Sequence, residues 1–348
     1  MAATTLTIGN ELLSTTMHIV MKEWRDNIYT STAFLEAQTR VHGEGSPTQA
    51  GGTRIVQPLG FGEHSNTTRL QTGYERIDLS VSDVFQPAVY DFAHVVRPIA
   101  ISSEEEMTNQ GDAAILSILE NRVTSVANAL KREYVKQMVQ GGVSGWDDWN
   151  TLNGIGTDVT DGFLENAAPG SGSQDSSVGG VSKSTFSSKT GWNNQFFDGA
   201  DSFNSNGLAG LYDLMVEINA VSAQGNPNVI LASRSGFKNL KRALQASERY
   251  MDEKSLDGGK MSTTFQGVPI DVEYYMPNAG TSSSTNEASF YILNMNDIHC
   301  LWDPKGYFDL SDFETVSGEY DVRAAKLRVR GQLIAKHLGS SGLAVNLD

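Results

Sequence analysis

Six histidines, one cysteine and scattered carboxylates are the side chains of this 348-residue chain suited to metal or nucleophilic chemistry, and their spacing argues against both. His18, His42, His64, His94, His299 and His337 form no His-x-x-x-His pair, so no helix presents two imidazoles to one ion. Asp147, Asp148, Asp158 and Asp161 offer oxygens of the calcium-binding kind, but without the alternation of an EF-hand loop they read as a solvated acidic surface. Gly258-Gly259-Lys260 lacks the upstream glycine of a phosphate loop, and Met261 stands where a hydroxyl would hold magnesium, so the tripeptide reads as a turn. There is no Gly-x-Ser-x-Gly elbow, and Cys300 lies in an apolar run where a small buried residue fits. These residues predict a protein with no catalytic residue, no cofactor and no metal.

Charge narrows the partners. The net charge of -15 opposes broad binding to a phosphate backbone, which needs clustered cations to release counterions. The densest basic stretch, Arg323, Lys326, Arg328, Arg330 and Lys336, is the exception and suits either an acidic neighbouring chain or local contact with a polyanion. Glu104-Glu105-Glu106 needs no catalytic reading, because carboxylates favour the positive end of a helix. The first cation is Lys22 and no apolar run approaches a membrane span, so neither a signal peptide nor a membrane contact is expected. In that light the Asn66-Thr67-Thr68 glycosylation match is discarded, and the single cysteine suits a reducing cytoplasm.

The elements that must position these residues are legible in part. Leu12, Leu13, Thr16, Ile19, Val20, Trp24 and Ile28 fall on one helical face. A strand-like run, Thr53 to Leu59, a polar glycine-rich stretch, Gly60 to Gly73, and a second run, Tyr74 to Val81, together read as a two-stranded projecting loop. Such a loop reaches about 40 Å and cannot bury itself. Ser103 and Glu106 have the spacing of a capping box. Ile115, Leu119, Val123, Val126, Leu130, Tyr134 and Met138 then repeat every three or four residues until Gly141-Gly142, which predicts a helix over 112–140, about 43 Å long.

Residues 141–206 have linker-like composition, yet Trp146, Trp149, Phe163, Phe186, Trp192, Phe196, Phe197 and Phe203 are too many large apolar side chains for a solvated tether. An ordered, loop-rich segment is expected. Beyond it the pattern predicts a helix over Leu208 to Val221, a strand over Val229 to Ala232 and a helix over Ser235 to Ala246. Strands follow near Val268 to Tyr274, Phe290 to Leu293 and Ile298 to Trp302, and a last strand lies within Tyr320 to His337. No internal repeat is visible.

This order of elements resembles the major capsid proteins of tailed bacteriophages with the Hong Kong 97-like fold, over nearly the whole chain. Ser177-Val178-Gly179-Gly180-Val181 followed by Gly191-Trp192-Asn193-Asn194-Gln195 resembles a segment of one branch of that family. Asn228-Val229-Ile230-Leu231-Ala232-Ser233, Arg249-Tyr250, Phe265-Gln266-Gly267-Val268-Pro269-Ile270, Phe290-Tyr291-Ile292-Leu293-Asn294 and Val329-Arg330-Gly331-Gln332-Leu333 extend the likeness.

The resemblance implies an α+β subunit with an N-terminal arm over 1–42 and an E-loop over 43–80. A P-domain over 81–206 would hold the spine helix, an A-domain would span 207–315, and 316–348 would return as a P-domain strand. It further implies a virion protein, assembled in the host cytoplasm, that forms hexamers and pentamers of an icosahedral shell around double-stranded DNA. Its partners would be further copies of itself, a portal protein, a separate scaffolding protein, a decoration protein, and DNA through weak contact. Candidate inter-subunit residues are Trp24, Arg54, Phe61, Arg69, Arg76, Arg328 and Arg330. The E-loop has no lysine, unlike relatives that join it covalently to asparagine. An encapsulin-like compartment subunit and a monomeric enzyme or binding module are the rival readings.

Overall fold

The computed structural model describes residues 32–61, 69, 71, 73, 74, 76, 77, 84–108, 118–154, 162–170, 174–185, 191–199, 203–222, 225–245, 263–277, 288–315 and 321–347. The arm over residues 11–30, Trp24 with it, Asp112, Phe186 and Gly258 to Lys260 lie outside the described residues.

Two sheets and one long helix organise the chain. In the first sheet the fourteen-residue strand β16 (Val322–Ala335) is central. Strand β3 (Ala93–Ser102) runs antiparallel along one edge from Val322↔Ser102 to Gly331↔Ala93. Three shorter strands tile the other edge: β13 (Ile298–Trp302), β14 (Asp309–Leu310) and β15 (Glu314–Thr315). The second sheet has six strands in the order Thr263–Phe265, Val268–Val272, Val229–Ala232, Ala288–Leu293, Gly342–Val345, Gln195–Asp198. Both of its faces are covered. Val229, Leu231, Tyr291, Leu293, Leu343 and Val345 join the core shared with the long helix, whereas Ile230, Ala232, Phe290, Ile292 and Ala344 join a second core under two helices. Double burial explains why these strands read as unbroken apolar runs rather than alternations.

The long helix, Ile118–Val139, sinks Leu130, Tyr134, Val135, Met138 and Val139 into the main core. Tyr134 stands among Trp146, Trp149, Trp302 and Phe308, with ring centroids 5.1 to 6.3 Å away. Hence the aromatics of the linker-like segment are core: Trp146, Trp149, Phe163, Trp192 and Phe203 are each at most 3% exposed. Gly141 (φ 77°) and Gly142 (φ 67°) end the helix in a left-handed conformation that a side chain resists.

Two expectations are corrected. The capping box is one residue earlier: the Ser102 amide donates to Glu105 Oε2 and the Glu105 amide to Ser102 Oγ, each at 3.2 Å, at the start of helix Ser103–Thr108. Ser-Ser and Glu-Glu-Glu make both registers legal in sequence, and Arg122 chooses between them by gripping Glu105 with two bonds of 2.7 and 2.9 Å.

The strand β1 (Arg54–Gly60) pairs not with Tyr74 to Val81 but with β2 (Phe85–Asp91), because this register sets Ile55 against Tyr90 and turns Ile55, Leu59, Ala88 and Tyr90 together onto the core. Of the run that was expected to pair, Tyr74, Arg76 and Ile77 are described, and they are exposed and outside any strand.

The strands within 207–315 divide between the two sheets. Ile298–Trp302 leaves for the first sheet through a turn in which the Asp297 and Ile298 amides both bond Asn294 O, and Gly342–Val345 enters the second sheet between Ala288–Leu293 and Gln195–Asp198. Apolar strands carry no mark of the sheet they join.

Candidate assembly surface

The ribbon of β1 and β2 is a platform with one face anchored and the other free. On the anchored face Tyr90 Oη donates to Ala335 O at 3.0 Å, and burial pushes its hydroxyl pKa well up. Beneath it, Ser177–Val178 and Val181–Ser182 form a small hairpin whose two turn residues, Gly179 and Gly180, both have positive φ, as a type I′ turn requires. The Val89 amide bonds Gly179 O at 2.9 Å, and a Cβ on Gly179 would stand 2.8 Å from Ala88 Cβ, so only glycine lets the hairpin touch the ribbon. Phe61 closes the ribbon's far end with its ring edge-on to Trp192 at 5.5 Å.

The free face carries Val56 paired with Val89, Pro58 with Pro87 and Gly60 with Phe85. Val56 is 59% and Phe85 77% exposed. Large apolar side chains on a rigid, outward face mark a surface built for contact. Opposed prolines remove amide donors from both strands, which disfavours indiscriminate strand addition and leaves side-chain packing as the mode of contact. At the ribbon's base Arg54 Nε lies 2.8 Å from Asp91 Oδ1, with both side chains well exposed.

A cleft of about 530 Å³ opens under the ribbon beside Tyr90, Asp91, Asp148, Asn150, Ser177 and Gln332. Gln332 is fully engaged there: its amide donates to Asp91 O and Asp148 O at 2.9 Å and accepts from the Asn150 amide at 2.9 Å. That lining braces the platform.

Behind the hairpin lies a buried polar node. Lys183 Nζ donates to Phe163 O at 2.8 Å and lies 3.2 Å from Glu165 Oε1. Asn194 accepts from the Glu165 amide at 2.9 Å and donates to Glu165 O at 3.0 Å, while Gln174 bonds Asn194 O at 2.8 Å. Burial brings the Lys183 pKa down to about 8 against the pull of Glu165. For Glu165, burial alone would raise the carboxyl, but the Lys183 charge and the bonds from Ser176 outweigh it and hold it below its usual range. Every strong polar group is matched, so the node locks strand, hairpin and sheet together. Of its residues only Asn194 falls within the quoted Gly191–Gln195 likeness; Glu165, Gln174 and Lys183 were not singled out in the sequence.

The candidate contact residues divide. Arg54 sits on the free ribbon face; Arg69 and Arg76 are exposed. Like Arg54, which pairs with Asp91, the residues Phe61, Arg328 and Arg330 are engaged within their own chain. Arg328 pairs with Asp309 at 2.7 Å, and Arg330 pairs with Asp303, bonds Gly52 O at 3.2 Å and lies 4.7 Å over the Phe92 ring. Two of the five cations of the basic stretch, Arg328 and Arg330, are thereby compensated internally. Val56 and Phe85 were missed, although the alternation along β1 was a usable signal.

Of the remaining reactive groups, Cys300 and His299 are buried, His42 and His337 are half-buried and His94 is exposed. Cys300 is fully buried against Tyr134 Oη, and burial pushes its thiol up to about 12. His299 is pushed down to about 3 by burial and by Lys336. His42 bonds Met295 O at 2.6 Å, and His337 Nδ1 accepts from the Ser340 amide at 3.1 Å. Among the described residues no three metal-ligating side chains gather, and no helix is long and apolar enough to cross a membrane.

No family model and no curated protein matches this sequence. Solved structures do. The capsid of cyanophage A-1(L) superposes with TM-score 0.64 at 14% identity over 98% of this chain and 99% of that one. The encapsulin of Synechococcus elongatus PCC 7942 gives 0.59 at 11% identity over 99% and 97%, and the capsid of a native GTA particle gives 0.58 at 13% over 100% and 99%. At such identities the likeness is one of fold, and that fold is the Hong Kong 97-like capsid fold.

Proposed function

We propose that this chain is a shell-forming structural subunit without catalytic activity, the major capsid protein of a tailed phage. The observation that carries the reading is the ribbon: a strand pair fixed to the core by Tyr90 and Gly179 that holds Val56 and Phe85 out to solvent. A monomer gains nothing from that arrangement, whereas a neighbouring copy would bury the apolar face. The fold shared with phage capsids supports the same reading. In it, copies gather in hexamers and pentamers around double-stranded DNA within the virion, with a portal protein, a separate scaffolding protein and a decoration protein as partners. Weak contact with DNA fits the net charge of -15 and the internal pairing of Arg328 and Arg330.

The likeness to an encapsulin over 99% of the chain favours a second reading, a compartment that encloses protein rather than a genome. Electron microscopy and light scattering of the full chain, alone and co-expressed with a candidate scaffolding protein, test both. Closed shells or capsomers are expected, and a stable monomer of 37.7 kDa under every condition overturns them. Nuclease-protected DNA in particles from infected cells separates the phage reading from the compartment.

A further inference from the structure

Two helices cover the outer face of the six-stranded sheet. Here α4 denotes Leu208–Val221 and α5 Arg234–Gln245, and both pack into the same core: Leu211, Leu214, Met215 and Ile218 from one and Leu240 from the other meet Ile230, Phe290 and Ile292 of the sheet. They therefore lie in one layer, but their outward faces are chemically opposite.

Helix α4 has no Lys, Arg or His. It exposes Tyr212 (46%) and Val216 (62%), one turn apart, and beside them a second pair of the same spacing, Asp213, exposed, and Glu217, half-buried. Helix α5 carries Arg234, Lys238, Lys241 and Arg242 and no acid at all, in a chain of net charge -15. Arg234, Lys238 and Arg242 are exposed at successive steps of four. Among the described residues, Arg234 lies 4.5 Å over the neutral Tyr274 ring and Arg242 reaches the Asn239 side chain at 3.4 Å, contacts that leave both charges uncompensated.

We propose that α4 of one subunit docks against α5 of its neighbour. This deepens the shell reading above and rests on it. Charges four residues apart on a helix are separated by about 6 Å along its axis, so the Asp213–Glu217 stripe matches the step of Arg234–Lys238–Arg242 in register. Tyr212 and Val216 supply apolar area beside the charges, the usual composition of an interface core and its rim. Because two different surfaces of one subunit are involved, the contact is head to tail, and a head-to-tail contact closes into a ring when the rotation permits. A polyanion is the less fitting occupant: it would meet the acids of α4 in the same layer and the repulsion of the whole chain.

Charge reversal tests the pairing. One variant carries Arg234→Glu, Lys238→Glu and Arg242→Glu, a second carries Asp213→Lys and Glu217→Lys, and a third carries all five. Each is the full chain, compared with wild type by sedimentation under assembly conditions, with circular dichroism of the soluble subunit. Each partial reversal sets like charges across the contact and lowers the assembled fraction by about tenfold or more, while the combined variant restores it. Partial variants that assemble like wild type, or a combined variant as defective as its parts, overturn the pairing while leaving the shell reading intact. Loss of DNA from otherwise normal shells on reversing α5 alone overturns it in favour of a polyanion. A wild type that never assembles overturns the shell reading and this contact together.

Discussion

The Lys183 ammonium lies 3.2 Å from the Glu165 carboxylate with its own side chain wholly removed from solvent. A buried cation tolerates that position only while its partners are present, and the node it belongs to is what holds the Ser177–Ser182 hairpin under the ribbon.

Removing one partner is therefore worse than removing both. Lys183→Met should destabilise the subunit by about 3–5 kcal/mol, since it strands Glu165 in a largely buried site. Adding Glu165→Gln should recover most of that loss. Urea unfolding of the single and double variants measures the cycle, and a double variant no better than Lys183→Met alone would show that the pair is not the source of the effect.

Disrupting the ribbon's free face should spare the fold and harm assembly. Val56→Asp with Phe85→Asp alters side chains already in water, so the melting temperature should move little while shells fail to form. The Phe61 amide bonds Val84 O at 3.0 Å, so residues 62–83 can be replaced by a short turn with the ladder intact, and the same outcome is expected. A deletion as wide as Ser46–Gln71 is a poorer test, because it removes the buried Ile55 and Leu59. Shells of unchanged thermal stability in either variant would refute the role given to the ribbon.

Two buried groups should make stability depend on pH in opposite directions. Burial lifts Glu273 to about 7, even though the Phe34 and Tyr275 amides bond its carboxylate. Between 4.5 and about 7 the native state holds a proton that the unfolded chain has released, so this contribution is complete at acid pH and lost as pH rises through 7. His299, depressed to about 3, does the reverse: its contribution is complete above 6.5 and lost as pH falls toward 3. Relative to wild type, Glu273→Gln should gain up to about 3 kcal/mol between pH 4.5 and 8, and His299→Gln should gain on acidification below 6.5. Melting temperatures at pH 5 and pH 8 decide both, and variant curves parallel to wild type would contradict the assignment.

In the shell proposed above, copies should be held without isopeptide bonds from the loop over 43–80. That bond needs a deprotonated lysine amine beside an asparagine, and no lysine occurs between Lys22 and Lys131. The cations of this loop are instead Arg54, Arg69 and Arg76, whose guanidinium groups are poor nucleophiles suited to ion pairing, as Arg54 shows with Asp91. Boiling in detergent should release a single monomer band, and a ladder of covalent multimers would refute this.

Much of the fold was legible because helical and strand periodicity are local properties. The helix Leu208–Val221 and the strands Val229–Ala232 and Ile298–Trp302 fall where the pattern puts them, and the excess of aromatics in 141–206 announced a core segment. The long helix was legible for the same reason, over its described span Ile118–Val139. The tertiary structure alone decided which elements are partners. Ile298–Trp302 and Gly342–Val345 are equally apolar, yet one completes the sheet around β16 and the other the six-stranded sheet. Ser102 rather than Ser103 caps its helix because Arg122, distant in sequence, holds Glu105, and β2 rather than Tyr74–Val81 pairs with β1 because Tyr90 finds Ala335. For the candidate surface, the alternation along Arg54–Gly60 implied one outward face, but that Val56 and Phe85 share it follows only from the register. Burial of a polar or apolar group is decided by what arrives from elsewhere in the chain, and no local pattern encodes that arrival.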